Sequence, residues 1–245
     1  MKRAGVSWIN YLLPRLSDAL FVALLAGLMT IAPRLLNQDG DTGRHLAVGR
    51  TILASGQIPR ADIFSHTMSG QPLAPHEWLA QVLFALANQV LGLSGVTLLT
   101  ALVLAAAFRL VYAEARRRSG LPLLSLLITL LGLAAASIHF LARPHIFTIL
   151  FVTLWLTLLE RMREGRPLSP FWLGLVMLVW ANLHGAFIAG FCDLGCLSGG
   201  NFMGRCQRQT FPPLTAQPHL AHRRRSGAGC LPAQPGWGRG VENRI

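Results

Sequence analysis

Asp41 and His45 stand four residues apart in the run Asp-Thr-Gly-Arg-His, and Asp39 lies two positions earlier. On a helix that spacing puts a carboxylate and an imidazole on one face. The acid can then orient the imidazole as a base, or the two can share a divalent metal. A carboxylate at a membrane surface loses part of its water, which raises its pKa toward values useful for taking a proton from a hydroxyl. The same aspartates could instead cap a helix N-terminus. Glu77 opens a second candidate segment, Pro-His-Glu-Trp-Leu at 75–79. Arg143 and His145 flank Pro144 between two apolar runs. A guanidinium there suits a phosphate, which it binds through two parallel hydrogen bonds. Asn182 and His184 fall inside the last apolar run. Polar groups there are costly and usually functional, although hydrogen bonding between helices is the plainer reading. Asp41, Asp39 and His45 are therefore candidate catalytic groups. Arg143, His145, His184, Asn182 and Glu77 are candidate substrate contacts. No residues are assigned as metal ligands, and a divalent metal is left open as a cofactor.

The elements that must position these groups are apolar helices. Of 245 residues 52% are hydrophobic and only 13% charged. A soluble domain carries about a quarter charged residues. The apolar residues come in blocks, and about 20 such residues cross a bilayer's hydrocarbon core. The blocks are 19–36, 96–113, 121–141, 146–159 and 171–191. Residues 78–91 are shorter and interrupted by Gln81, Asn88 and Gln89, as in an interfacial helix. The expectation is an all-α, polytopic transmembrane bundle of about five spans, with a first loop, 37–91, outside the cytoplasm. Arginine placement selects this arrangement. With 78–91 on the outer surface, the N-terminus, Arg116–Arg118 and the arginines at 161–166 all face the cytoplasm, where basic residues concentrate. His45, His66, His76, His139, His145, His184, Glu77 and Arg143 then share the outer side. A multi-pass plasma-membrane protein follows, in the inner membrane if the cell is Gram-negative. Arginine supplies nearly all the positive charge behind the net +12, and many of the arginines sit between apolar blocks. It points to anionic lipid heads and orientation, not to nucleic acid.

After residue 191 the character changes. Residues 192–245 hold all four cysteines, many prolines and glycines, and no lysine. One reading is a basic disordered tail. A zinc site from Cys192, Cys196, Cys206, His219 and His222 lacks the paired Cys-x-x-Cys spacing of structural zinc. An out-of-frame translation beginning near codon 192 would also produce such a shift, and would make the chain a fragment.

The segment from Asp41 to Leu79 also carries a motif series. It comprises Asp41, His45-Leu46, Gly49, Gly56, Pro59, Asp62, Phe64-Ser65 and Glu77-Trp78-Leu79, with Arg143-Pro144 and Trp180 to Gly185 later. The series resembles a group of bacterial polytopic membrane proteins that is similar to the GT-C glycosyltransferases, over about residues 17–191. That resemblance implies many spans, a long acidic first outer loop and a sugar donor carried on a polyprenyl phosphate. It implies that Asp41 or Asp39 acts as base on the acceptor hydroxyl or helps to hold a metal, and that Arg143 meets the donor phosphate. The class usually has about eight to thirteen spans, more than the five expected here. The rival reading is a transporter or assembly factor whose outer histidines and Arg143 bind a ligand without chemistry. A non-functional product of a frameshifted gene is the third.

Overall fold

The protein was described from a computed structural model, which covers residues 15–37, 40–166 and 168–195. Asp39 and the tail beyond residue 195, including Cys196, Cys206, His219 and His222, lie outside the described residues, so the disordered, zinc and out-of-frame readings are not decided there. The chain is all-α, as expected, and among the described residues the only strand-like pairing is a single bridge, Ala61 to Pro72.

Helix α1 is Leu16–Thr30 and α2 is Ala32–Asn37. The block read as one span is thus broken at Ile31. Pro33 explains the break: it has no N–H for the carbonyl four residues back, and its ring crowds that turn. Helix α3 is Thr42–Ser55. A loop leads to the long element α4, Trp78–Ser119, which contains non-helical residues at Leu91 and Gly92. Helix α5 is Pro122–Ala136, followed by a 3-10 turn, Ser137–His139. Helix α6 is His145–Arg163 and α7 is Pro170–Leu183. A further helical stretch, Gly185–Gly195, begins as a 3-10 turn.

Three helices are long and apolar enough to cross a membrane: Trp78–Ser119, Pro122–His139 and His145–Arg163. Leu16–Thr30 and Pro170–Leu183 are apolar but shorter. The fourth block is longer than its apolar core suggests, because its helix runs on through Arg163. The fifth is shorter, because the chain turns extended at His184 (φ −162°, ψ 143°).

Two close approaches set the site end of the bundle. At Gly92 φ is +60° with ψ −150°, a backbone that L side chains rarely adopt. The chain there folds back, so that a Cβ on Gly95 would lie 2.0 Å from the carbonyl oxygen of Ala87. Residues 78–90 are therefore a separate arm, distinct from the long apolar arm 93–119. Helix α3 crosses the first arm at Gly49, where a Cβ would lie 2.1 Å from the carbonyl oxygen of Gln81. Between the helices, Phe84 packs on Phe147 and Phe108 on Phe140, each pair with ring centroids 5.9 Å apart. A smaller cluster of Trp155, Leu159, Met177 and Trp180 joins α6 to α7. Helix α5 is different: Leu123 is 77% exposed and Leu131 62%, whereas Ser125 and Thr129 are buried. Its small polar face meets the bundle and its leucines point outward, the pattern of a helix bathed in lipid.

Polar groups separate to the two ends of these helices. One end carries α3, the 78–90 arm, His139, Arg143, His145 and His184. The other carries Arg117 and Arg118 of α4, which pair with Glu164 and Glu160 at the end of α6. Asp18 near the start of α1 lies 2.9 Å from Arg109 of α4, on the arginine side. Arg109 interrupts the block read as a clear span, and this partner accounts for a charge in an apolar helix.

Candidate functional site

The start of α3, the start of α4, the loop before α6 and the end of α7 converge on a cavity of about 320 Å³. Asp41, His45, Glu77, Arg143, His145 and His184 all line it, although they come from four separate segments of the sequence. Arg44 and His139 complete its polar wall.

Asp41 precedes α3 but makes no side-chain capping bond. Its carboxylate instead pairs with the Arg143 guanidinium. Arg143 is held in place because the neighbouring Ala142 N–H donates to the Leu35 carbonyl at 2.8 Å, tying the loop to α2. His45 is one turn further into α3 and buried at 4% exposure. Its Nδ1 lies 3.4 Å from Nε2 of Gln81 on the facing arm. The four-residue spacing thus places the two groups in one cavity, with a guanidinium beside the acid and an amide beside the imidazole.

Glu77 sits at the mouth of the first arm. Burial pushes its carboxyl above the usual range, against the opposing pull of His76, Arg44 and Arg143, and Asp41 adds a smaller upward push. Its Oε1 lies 3.4 Å from Nε2 of His184 and 3.8 Å from Nε2 of His76. A relay fixes His184. The Trp180 indole N–H donates to Thr148 Oγ1 at 3.0 Å, and that hydroxyl lies 2.9 Å from His184 Nδ1. The Ala186 N–H also points at Nδ1, at 3.4 Å. With Thr148 accepting from Trp180, its own proton goes to Nδ1, so a neutral His184 carries its hydrogen on Nε2, facing Glu77. His145 is oriented by a 2.6 Å contact between its Nε2 and the His139 carbonyl.

Asn182 does not line the cavity. Its Oδ1 accepts from the Trp78 indole at 2.7 Å, and its Nδ2 donates to the Leu178 carbonyl at 2.7 Å. Both amide atoms are used to lock α7 to the start of α4, the interhelical role. Trp78, an interfacial anchor by sequence, is the other half of that lock. Asp62 shapes the loop: its Oδ1 accepts from the N–H groups of Phe64 and Ser65 at 2.8 and 2.9 Å. These bonds hold its carboxyl below the usual range, the Ser65 side chain contributing most. His66 is exposed and lines neither the site nor the cavity beside it.

Arg44, Gln81, Thr148 and Trp180 are parts of the site that residue types alone did not single out. Arg44 had a signal, since it lies three positions after Asp41 on the same helix. Gln81 had one too, as a polar break four residues after Glu77. Thr148 had none beyond sitting near the start of an apolar run, and Trp180 had only its place at the head of the Trp180 to Gly185 motif. Among the described residues no group of three or more His, Cys, Asp or Glu side chains is placed to hold a metal ion. Chemically, the cavity offers two guanidiniums, two carboxylates and four imidazoles, at one end of helices able to cross a membrane. No family model, curated protein or solved structure matches the chain.

Proposed function

We propose that this chain is a membrane glycosyltransferase of GT-C type, or the N-terminal portion of one. It would transfer a sugar from a polyprenyl-phosphate carrier to an acceptor hydroxyl. The observation that carries the reading is the Asp41–Arg143 pair in a cavity shared with Glu77 and His184. The donor phosphate competes with Asp41 for the guanidinium, because a phosphate offers the same two-oxygen face. Binding of the donor then releases the Asp41 carboxylate into the cavity. Glu77, half-buried and less acidic than an ordinary glutamate, stands beside it as the second proton acceptor. The acceptor oxygen bonds to the anomeric carbon as the carbon–oxygen bond to phosphate breaks. The hydroxyl proton passes to a carboxylate, and the electron pair leaves with polyprenyl phosphate. His45, His145 and Arg44 line the path of the sugar. The site faces away from the cytoplasm of a plasma membrane, because the opposite end bears the arginines.

The test uses the full chain in lipid nanodiscs with undecaprenyl phosphate bearing labelled glucose, mannose or galactose, each supplied with an envelope extract as acceptor source. The expected result is consumption of at least one donor, lost in Asp41→Asn and in Arg143→Gln while both variants still insert. Undecaprenyl phosphate should bind more tightly than uncharged undecaprenol, and Arg143→Gln should erase that difference. Equal binding of the two lipids by the unaltered chain would overturn the proposal.

A further inference from the structure

A second cavity, of about 210 Å³, adjoins the first. Arg44 and Glu77 line both. Its remaining wall is formed by Val48 of α3, by the loop that Asp62 pins at Phe64 and Ser65 and that runs on to His76, and by Gln81 of the first α4 arm. The loop is fixed independently of any ligand. The Asp62 N–H donates to the Gln71 carbonyl at 2.8 Å, and the Leu73 N–H to the Arg60 carbonyl at 2.8 Å.

Gln81 is the informative residue. It is 2% exposed, yet its Oε1 has no hydrogen-bond partner among the described residues. Turning the amide over does not resolve this. Oε1 would then face His45, and Nε2 would be left without a partner in its place. One buried amide atom is therefore short of a partner in either orientation, a deficit that native proteins rarely tolerate. A ligand hydroxyl satisfies both cases, since it donates as well as accepts, once Gln81 turns its shielded amide atom toward the cavity that it lines.

The rest of the wall narrows the ligand. Asp62 and Glu77 disfavour an anion, and Arg44 disfavours a cation. Phe64 supplies an apolar face beside these polar groups. Space for roughly seven waters, at ~30 Å³ each, matches one sugar ring and not an oligosaccharide.

We infer that this second cavity receives the acceptor, as a neutral, hydroxyl-rich ligand the size of a single sugar ring. The inference rests on the transferase reading above and adds the side from which the nucleophile enters. Arg44 and Glu77 form the boundary between the two cavities. An acceptor hydroxyl crossing that boundary meets the Glu77 carboxylate before it meets the donor. Gln81 acts as a positioning residue, holding a second hydroxyl of the ring.

Site-directed labelling separates the two cavities. In the full chain, with Cys192, Cys196, Cys206 and Cys230 replaced by serine, one cysteine is introduced at a time: Ser65→Cys in the second cavity or Leu141→Cys in the first. Ala74→Cys replaces Ser65→Cys if that loop is disturbed. The rate of modification by an anionic methanethiosulfonate is followed with methyl glycosides of glucose, mannose and galactose, and separately with undecaprenyl phosphate. At a glycoside concentration ten times its dissociation constant, Ser65→Cys should react about tenfold more slowly, with Leu141→Cys unchanged. Undecaprenyl phosphate should protect Leu141→Cys alone. Adding Gln81→Leu should remove the glycoside's protection and keep that of the lipid. Glycoside protection at Leu141→Cys instead of Ser65→Cys would overturn the inference. So would no protection by any glycoside. In both cases lipid protection of Leu141→Cys would leave the transferase reading standing, whereas loss of lipid protection as well would take that reading down too.

Discussion

The two ends of this bundle hold similar residue types and use them differently. At the arginine end, acids and bases neutralise one another at the surface. Glu114 accepts from Arg117 at 2.5 Å and from Arg118 at 2.6 Å, and Arg163 pairs with Glu160 at 2.5 Å. No histidine among the described residues takes part; these three pairs have the i,i+3 and i,i+4 spacings that a helix supplies by itself, while Arg117 with Glu164 and Arg118 with Glu160 join the ends of α4 and α6. At the other end the partners are remote in sequence. Asp41 meets Arg143 and Glu77 meets His184, with imidazoles between them and cavities beside them. Pairing among neighbouring helix ends makes a charged face. Long-range pairing around a cavity makes a place for a ligand, because the fold must be complete before the groups meet. That contrast implies that changes at one end should alter activity and changes at the other should not.

The largest effect should come from Glu77. Glu77→Gln keeps the shape and removes the second of the two proton acceptors, leaving Asp41 in place. Donor consumption should fall by about 10²–10⁴-fold, the usual contribution of a general base. Glu164→Gln at the opposite end should leave the rate unchanged. Steady-state rates of the two variants in the same nanodiscs decide this, and an equal loss in both would erase the distinction between the ends.

Next in size is the backbone that builds the site end. Gly95→Ala drives a methyl toward the Ala87 carbonyl, and Gly49→Ala drives one toward Gln81. Backbone cannot yield as a flexible side chain can, so each should cost about 2–4 kcal/mol as a steric clash in a packed core. Gly174→Ala in α7 is the control, since nothing lies within 4 Å of a Cβ there. It should be neutral or stabilising, by up to about 1 kcal/mol. Thermal melts in a mild detergent compare the three.

Much of this arrangement was legible in the sequence, and the reasons are specific. The apolar blocks announced the helices, because a bilayer demands long runs without charge. The arginine clusters announced a common end, and ion pairs between α4 and α6 place them together. Six of the eight candidate site residues share one cavity. Helix limits were harder. Pro33 splits the first block, and the extended backbone at His184 cuts the last one short. The fold-back at Gly92 was invisible as such, because a glycine in an apolar stretch reads equally as a packing residue. Asn182 kept two readings by sequence, since the hydrogen bond to Trp78, 104 positions away, leaves no trace in local spacing. Thr148 and Trp180 were missed for the same reason: their importance lies in what they do to the tautomer of His184.

A smaller effect should appear in the pH dependence of stability. The Glu77 carboxyl is pushed upward by burial, so its folded pKa exceeds its unfolded one. Folding therefore favours the protonated form. The stability this group contributes is fully present below the ordinary carboxylate range and is lost as pH rises through the elevated folded value. Asp62 and Glu164 act with the opposite sign, because hydrogen bonds hold both carboxyls low. The useful quantity is therefore the difference between the melting temperatures of the unaltered chain and Glu77→Gln. That difference should favour the unaltered chain most at acidic pH and shift toward the glutamine variant as pH rises. A difference that does not vary with pH would mean that Glu77 is not held in its half-buried position.

The smallest effect should come from the ion pairs themselves. Glu114 is the hub of the arginine end, bonded to Arg117 and Arg118, while Arg117 reaches on to Glu164 across the helix gap. So many contacts invite the view that this hub holds α4 to α6. Glu114 and Arg117 are 17% and 24% exposed, but their outer partners reach water, Arg118 at 53% and Glu164 at 34%. Water and salt screen charges in that position, and ordering two long side chains costs entropy that offsets most of the attraction. The aromatic contacts between the same helices, such as Phe84 on Phe147, are buried and unaffected by salt. Glu114→Gln should therefore cost about 1 kcal/mol or less, and raising the salt concentration should shrink even that. A larger, salt-independent loss would show that the arginine end carries structure as well as orientation, and the division of labour between the two ends would need to be redrawn.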